Sequence, residues 1–116
     1  MTHPADQQFF ARLAALNDKF ANSLPGTLDR LAGLARGLDP AAPAPAADEL
    51  QAMLHTVAGS AATFGYRGLG HHARALEQRL RVLQTFESVA AADWQDWLGE
   101  LDRFIADARR DPKSLS

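Results

Sequence analysis

Apolar residues recur along this chain at three- and four-residue intervals, the spacing of one face of an α-helix. No segment shows the period of two that marks a half-buried strand. Five stripes carry the pattern: Phe9, Phe10, Leu13, Leu16 and Phe20; Leu28, Leu31, Leu34 and Leu38; Leu50, Leu54, Val57, Ala61 and Phe64; Leu69, Ala73, Leu76, Leu80 and Leu83; Val89, Trp94, Trp97, Leu98, Leu101, Phe104 and Ile105. The pattern therefore predicts five amphipathic helices.

Glycine and proline residues mark the ends of these predicted helices. Pro25-Gly26 follows the first stripe and predicts that a short N-terminal helix ends there, because proline lacks the amide hydrogen that a helix interior uses. Three prolines in the segment 39–47 predict a stiff, extended loop. The glycines of segment 65–68 predict a tight turn. We expect residues 1–4 and 112–116 to be flexible.

These elements predict an all-α fold, an up-and-down antiparallel four-helix bundle with an additional N-terminal helix. The 116 residues fit one domain, residues 1–116. In the fourth predicted helix the apolar residues alternate by four and three positions, which suits near-antiparallel packing against its neighbours. We expect the third and fourth helices to form an antiparallel hairpin.

Composition narrows the classes of function. The formal net charge is −2, whereas a nucleic-acid-binding domain usually presents a basic face. The chain has no cysteine, which excludes disulfides, zinc–thiolate sites and cysteine nucleophiles. No stretch approaches the roughly 18 apolar residues that span a bilayer, and the N-terminus lacks a signal-peptide core. We expect a monomeric cytoplasmic protein that binds neither nucleic acid nor membrane.

His55 lies on the polar side of the third predicted helix. At about 100° per residue its direction is roughly 140° from the mean of the buried face. A glycine in mid-helix costs about 1 kcal/mol relative to alanine, and solvent-facing positions usually carry long charged side chains. The surroundings of His55 are instead small or uncharged, which indicates that a large partner approaches the imidazole closely. These neighbouring positions are Gln51, Ala52, Ala58, Gly59 and Ala62.

The chemistry open to such a histidine is nucleophilic. A neutral imidazole is a competent nucleophile near pH 7 and can accept an acyl or phosphoryl group. No serine or carboxylate stands at a helical neighbour of His55 to complete a hydrolytic triad. Phosphoryl transfer depends mainly on positioning and charge stabilisation, which a docking partner can supply. The pattern therefore favours phosphoryl transfer.

The run from His55 to Gly65, HTVAGSAATFG, resembles the histidine-containing phosphotransfer (HPt) domain family. That family's pattern is a phospho-accepting histidine, two residues, a lysine, a glycine and a small residue, then a Thr-Phe-Gly segment. The resemblance covers most of the chain, since it extends upstream to Leu24-Pro25 and downstream to Leu69, Ala73, Leu76 and Glu77.

The resemblance implies a phosphoryl carrier of two-component phosphorelays and not a kinase or other enzyme. It implies that His55 is phosphorylated on Nε2 and exchanges the group with the aspartate of a response-regulator receiver domain or with a hybrid sensor histidine kinase. Gly59 lets a receiver loop approach. No cofactor is expected in this chain, because Mg²⁺ belongs to the receiver. The docking residues implied are Gln51, Ala52, Ala58, Gly59, Ala62 and Arg67.

One position departs from the family pattern. Where the family has a lysine three residues after the histidine, this chain has Ala58, so a cation worth about 1–3 kcal/mol in a charge-assisted hydrogen bond is missing. Arg74 on the facing helix is the first candidate to replace it, and Arg67 the second, because a guanidinium suits phosphate oxygens. Glu77 is a candidate hydrogen-bond partner of His55 or of Arg74, and its i, i+4 spacing to Arg81 is also that of a solvated ion pair.

Two alternatives stay open. The first is a degenerate adaptor of the same fold that binds a signalling partner without being phosphorylated, which the missing lysine favours. The second is a small metal- or ligand-binding bundle. The pair His71-His72 does not favour a metal site, because adjacent helical residues point about 100° apart. We predict no metal ligands in this chain.

Overall fold

A computed structural model describes residues 3–115, which form four helices and no strand. The helices are α1, Pro4–Gly37; α2, Ala44–Thr63; α3, Arg67–Gln84; and α4, Ala91–Arg110. Of the termini expected to be flexible, residues 1, 2 and 116 lie outside the described residues. Pro4 begins α1, and Leu115 is partly buried.

The additional N-terminal helix is a wrong prediction, because α1 runs unbroken through Pro25. A proline inside a helix costs about 3 kcal/mol. Leu24 and Leu28, on either side of it, are buried on one face of α1, and burying a leucine contributes about 1.5–3 kcal/mol. The free energy gained by burying both leucines is therefore larger than the cost of the proline. The Thr27 hydroxyl also donates to the Ser23 carbonyl, 3.1 Å away, so side chains supply hydrogen bonds around the interruption.

The predicted loop 39–47 is also too long. Helix α2 begins at Ala44, and Pro45 occupies its first turn, where the missing N–H is no loss because first-turn amides have no partner within the helix. Asp48 therefore lies inside α2, where its carboxylate accepts a 2.8 Å hydrogen bond from the side-chain amide of Gln84 on α3.

The four helices pack in a ring, in which α1 contacts α2 and α4, and α3 contacts α2 and α4. The core is mainly leucine with two tryptophans. The indole N–H of Trp97 donates to the Leu76 carbonyl at 3.0 Å, which satisfies its polar atom inside the core. The largest fully buried side chains are Leu28, Leu31, Leu50, Leu54, Leu69, Leu80, Trp94 and Leu101.

Helices α2 and α3 form the predicted antiparallel hairpin. Gly65 makes the turn with φ of +85°, a conformation that costs glycine little. Gly70 lets the helices approach closely, since a Cβ placed there would lie 3.1 Å from the Ala58 carbonyl oxygen. This contact fixes the register that puts His55 of α2 opposite Glu77 of α3.

Candidate functional site

His55 lies in the middle of α2 and faces water, with 70% of its side chain exposed. Its Nδ1 atom is 3.0 Å from Oε1 of Glu77. Glu77 is only 6% exposed, and it is the one charged residue in the buried core of residues 3–115. A buried carboxylate needs partners, and the exposed imidazole is one of them.

The same carboxylate oxygen has a second partner. A guanidinium nitrogen of Arg81, one turn further along α3, also lies 3.0 Å from Oε1 of Glu77. Because a carboxylate only accepts hydrogen bonds, the proton of a neutral His55 ring resides on Nδ1. Nε2, on the other side of the ring, then carries the lone pair, and it has no hydrogen-bond partner among residues 3–115.

The exposed side chains around the His55 ring are small, as the sequence predicts. Gly59, Ala52 and Ala62 are all exposed, and we call them the small-residue surface. A Cβ placed on Gly59 would meet nothing within 4 Å, so packing inside the chain does not require a glycine there. Gln51 is half-buried at the edge of this surface.

Ala58 does not belong to that surface. It is 3% exposed and packs against α3, so its side chain offers nothing to a docking partner. This part of the predicted docking surface is corrected. The cause is the rotation of α2 in the bundle, which turns the position three residues after His55 towards α3.

The two predicted arginines occupy different places on α3. Both are exposed. Arg74 lies one turn before Glu77, opposite Ala58 in the register that pairs His55 with Glu77. Arg67 begins α3 and is ten residues, or about 15 Å, from Glu77 along the helix axis. Arg74 is therefore one turn from Glu77 along α3, whereas Arg67 lies at the turn end of the hairpin.

Arg81, which the sequence pattern assigns only to a solvated pair with Glu77, belongs to this site. Its i, i+4 spacing from Glu77 was the available signal, but that spacing usually marks only a solvated pair. At 100° per residue, Arg81 lies on one exposed stripe of α3 that contains no acidic residue. We call it the α3 basic stripe: Arg67, His71, Arg74, Gln78 and Arg81.

The adjacent histidines His71 and His72 contact each other. Their rings meet edge to face with centroids 5.9 Å apart. No group of three or more His, Cys, Asp or Glu side chains within residues 3–115 is arranged to hold a metal ion. None of the helices in that part of the chain has the length and hydropathy needed to cross a membrane.

Fold and site together define a class, helical bundles in which an exposed histidine contacts a buried carboxylate of the facing helix. The family model of the Hpt domain matches residues 7–111, so the chain belongs to the Hpt domain family. Hpt domains serve two-component signalling as phosphoryl carriers, not kinases, and interact with response regulators and kinases. Comparisons with curated proteins and with solved structures gave no significant match.

Proposed function

We propose that this chain carries a phosphoryl group on Nε2 of His55 and exchanges it with the aspartate of a response-regulator receiver domain. The observation that supports the proposal best is the 3.0 Å contact between Nδ1 of His55 and the buried Glu77 carboxylate. This contact favours the tautomer in which the nucleophilic nitrogen points away from the protein. A hybrid sensor histidine kinase is the other partner in this scheme.

The transfer step balances within this arrangement. The Nε2 lone pair attacks the phosphorus of an aspartyl phosphate, the N–P bond forms, and the P–O bond to the aspartate breaks. Its electron pair leaves with the aspartate carboxylate. The imidazole gains positive charge as the bond forms, and the Glu77 carboxylate stabilises that charge through Nδ1–H. In this proposal Mg²⁺ belongs to the receiver, and this chain contributes no cofactor.

Arginines of α3 replace the family's lysine in this proposal. Arg74 and Arg81 lie one turn before and one turn after Glu77, so they flank the ring along the hairpin. Arg81 already lies within hydrogen-bonding distance of Glu77. The exposed Arg74 side chain is the better placed to bind phosphoryl oxygens at the level of Ala58, where the lysine is missing.

The docking face comprises the small-residue surface around His55 and the α3 basic stripe. Gln51, Ala52, Gly59 and Ala62 admit the receiver's phosphorylated loop, and Arg67 extends the face towards the hairpin turn. The stripe complements the negative charge of an aspartyl phosphate, which steers encounter and orientation. The stripe is exposed, so its contribution falls as salt rises.

The test is incubation of the full chain with phosphorylated receiver domains from the source genome, followed by measurement of acid-labile phosphate on the chain. We expect His55→Gln to abolish uptake while the circular dichroism spectrum keeps its helical signal. His72→Gln is the matched control, because His72 is also an exposed helical histidine of α3 but lies outside the α3 basic stripe, and it is expected to take up phosphate normally. Uptake by His55→Gln at the wild-type rate would remove the proposal.

A second candidate, an adaptor that binds a receiver without accepting phosphate, is favoured by Ala58 in place of the lysine. The same experiment separates the two. An adaptor binds the receiver in a pull-down or titration, yet neither the wild-type chain nor His72→Gln gains acid-labile phosphate.

A further inference from the structure

The N-terminal half of α1 exposes four large apolar side chains. Phe9, Phe10, Leu13 and Leu16 are 60%, 59%, 38% and 52% exposed, and no described residue before Leu24 is buried. Most of the stability of a helix in a protein comes from packing of its apolar face. Monomeric proteins rarely leave a contiguous apolar patch of this kind uncovered. Something is therefore expected to cover this half of the helix.

The spacing of these residues favours another helix as the cover. Phe9, Leu13, Leu16 and Phe20 follow each other at intervals of four, three and four, the seam of a two-stranded coiled coil. We call these four residues the α1 seam. Phe20 is partly buried where its ring meets Phe64, 5.7 Å away between centroids. The seam thus runs outward from the α2–α3 turn along the projecting half of α1.

We infer that the occupant is a second copy of this chain, paired antiparallel along the α1 seam. A twofold axis at the level of Ala14 and Ala15 brings Phe9 opposite Phe20 of the second copy. It also brings Leu13 opposite Leu16. Such an interface is isologous, with the same patch on both sides.

The charges and the area agree with a second copy. Residues 4–20 carry two acidic and two basic side chains, so two copies meet without net repulsion. The same balance lacks the cationic excess that draws an amphipathic helix to an anionic membrane. Pairing two seams, with Phe10 beside each, buries about 1,000 Å² in total, at the low end of specific interfaces. A reversible dimer is expected.

This interface leaves His55 open. A groove of about 270 Å³ between Phe10, Leu13, Thr63 and Phe64 marks where the projecting half of α1 meets the bundle. His55 is eight residues from Thr63, about 12 Å along α2, and it sits opposite α3. Dimerisation and phosphoryl transfer can therefore be tested separately.

The test is sedimentation equilibrium of the full chain from about 1 μM to 1 mM, the range expected for a small interface. The wild type is expected to approach the mass of two chains at the upper end. Leu13→Glu/Leu16→Glu should stay monomeric and still accept phosphate on His55. Val82→Glu is the matched control, since Val82 is 56% exposed on α3, and it should dimerise as the wild type does.

A wild type that stays monomeric at 1 mM overturns the proposal and points to a different protein or a membrane as the cover. A dimer that persists in Leu13→Glu/Leu16→Glu overturns it as well. A wild-type chain that forms the dimer but takes up no phosphate contradicts the proposed function and leaves the dimer proposal standing.

Orientation can be tested because the chain has no cysteine of its own. Antiparallel pairing puts the two copies of position 9 about 16 Å apart along the axis, too far for a disulfide. We expect Phe9→Cys chains not to cross-link on oxidation. Leu13→Cys mixed with Leu16→Cys should cross-link between the two variants. A Phe9→Cys disulfide would contradict the antiparallel arrangement.

Discussion

At the scale of single residues, Glu77 is the side chain whose position most needs an explanation. Burying an unpaired carboxylate costs several kcal/mol. Glu77 is buried, yet one of its oxygens contacts both His55 and Arg81. The two contacts offset the cost, and the contact with His55 also fixes which ring nitrogen is protonated. Structural and chemical roles therefore coincide in this residue.

Glu77→Gln tests that coincidence. A glutamine can still accept from Nδ1 but has no charge to stabilise the phosphorylated ring, so we expect phosphoryl uptake to slow by about 10- to 100-fold, the equivalent of a charge-assisted hydrogen bond worth 1.5–3 kcal/mol. NMR of the imidazole nitrogens should show a smaller fraction of the Nδ1–H tautomer.

Glu49→Gln is the control for that substitution. Glu49 is an exposed glutamate of α2 whose distance to Arg30 is 3.9 Å, and such pairs contribute little. We expect it to leave both the uptake rate and the tautomer unchanged. An equal rate and tautomer in Glu77→Gln would show that the contact is only structural.

Sequence reasoning located some of these residues and missed others for a geometric reason. The exposure of His55 and the open surface at Gly59 follow from the position of each residue on its own helix. The burial of Ala58 and the contact of Arg81 depend on how α2 and α3 are rotated against each other. That rotation is set by close contacts such as Gly70 with the Ala58 carbonyl, which one helix's periodicity does not contain.

At the scale of the helix, Gly59 lowers the stability of α2, because glycine has a low helix propensity. It has no packing role within the chain, since a Cβ there would meet nothing within 4 Å. Gly99 in α4 is a matched case, exposed and with open space at its Cβ. We expect Gly59→Ala and Gly99→Ala each to raise the free energy of unfolding by about 0.5–1 kcal/mol, measured by urea titration.

Only the substitutions at Gly59 should affect phosphoryl transfer. We expect Gly59→Ala to slow uptake from a phosphorylated receiver and Gly59→Glu to slow it by about tenfold or more, through bulk and repulsion of the phosphate. Gly99→Ala should transfer normally. Wild-type rates in both Gly59 variants would show that the receiver docks elsewhere.

Pro25 allows a second test at the same scale. Because α1 is continuous, Pro25→Ala restores an amide donor for the carbonyl four residues earlier, and we expect the free energy of unfolding to rise by about 1–3 kcal/mol. Pro112→Ala, beyond the end of α4, should change it by less than about 0.5 kcal/mol. If Pro25→Ala instead lowers the free energy of unfolding, the helix is interrupted at Pro25 and the proline stabilises that interruption.

The two errors in the predicted helices share a cause. The sequence pattern predicts that proline breaks the helix both at Pro25 and in segment 39–47, which is the local tendency of this residue. In α1 the buried leucines on both sides outweigh it, and in α2 Pro45 falls in the first turn, where it costs nothing. Local propensity lost to tertiary packing in one case and to position within the helix in the other.

At the scale of the whole molecule, the all-helical fold and the α2–α3 hairpin followed from periodicity. The expectation of a monomer stays untested, and the stripe Phe9–Phe20 shows why sequence does not decide it. An apolar stripe predicts that a face is covered, but the cover can come from the same chain or from another. In this structure the first half of α1 extends beyond the bundle, and the molecule with this half included measures 61 × 26 × 22 Å.

The His55 side chain is 70% exposed, and the groove between Phe10, Leu13, Thr63 and Phe64 does not include it. A phosphoryl group on Nε2 would be in contact with solvent. Among residues 3–115 the carboxylate that contacts the ring, Glu77, lies on the Nδ1 side, away from Nε2, so it is not placed to activate water against the phosphorus. The duration of the stored signal would then be set by the intrinsic hydrolysis of a phosphoramidate. Only transfer to a receiver would shorten the lifetime of the phosphorylated chain. The partner would therefore set how long the signal lasts.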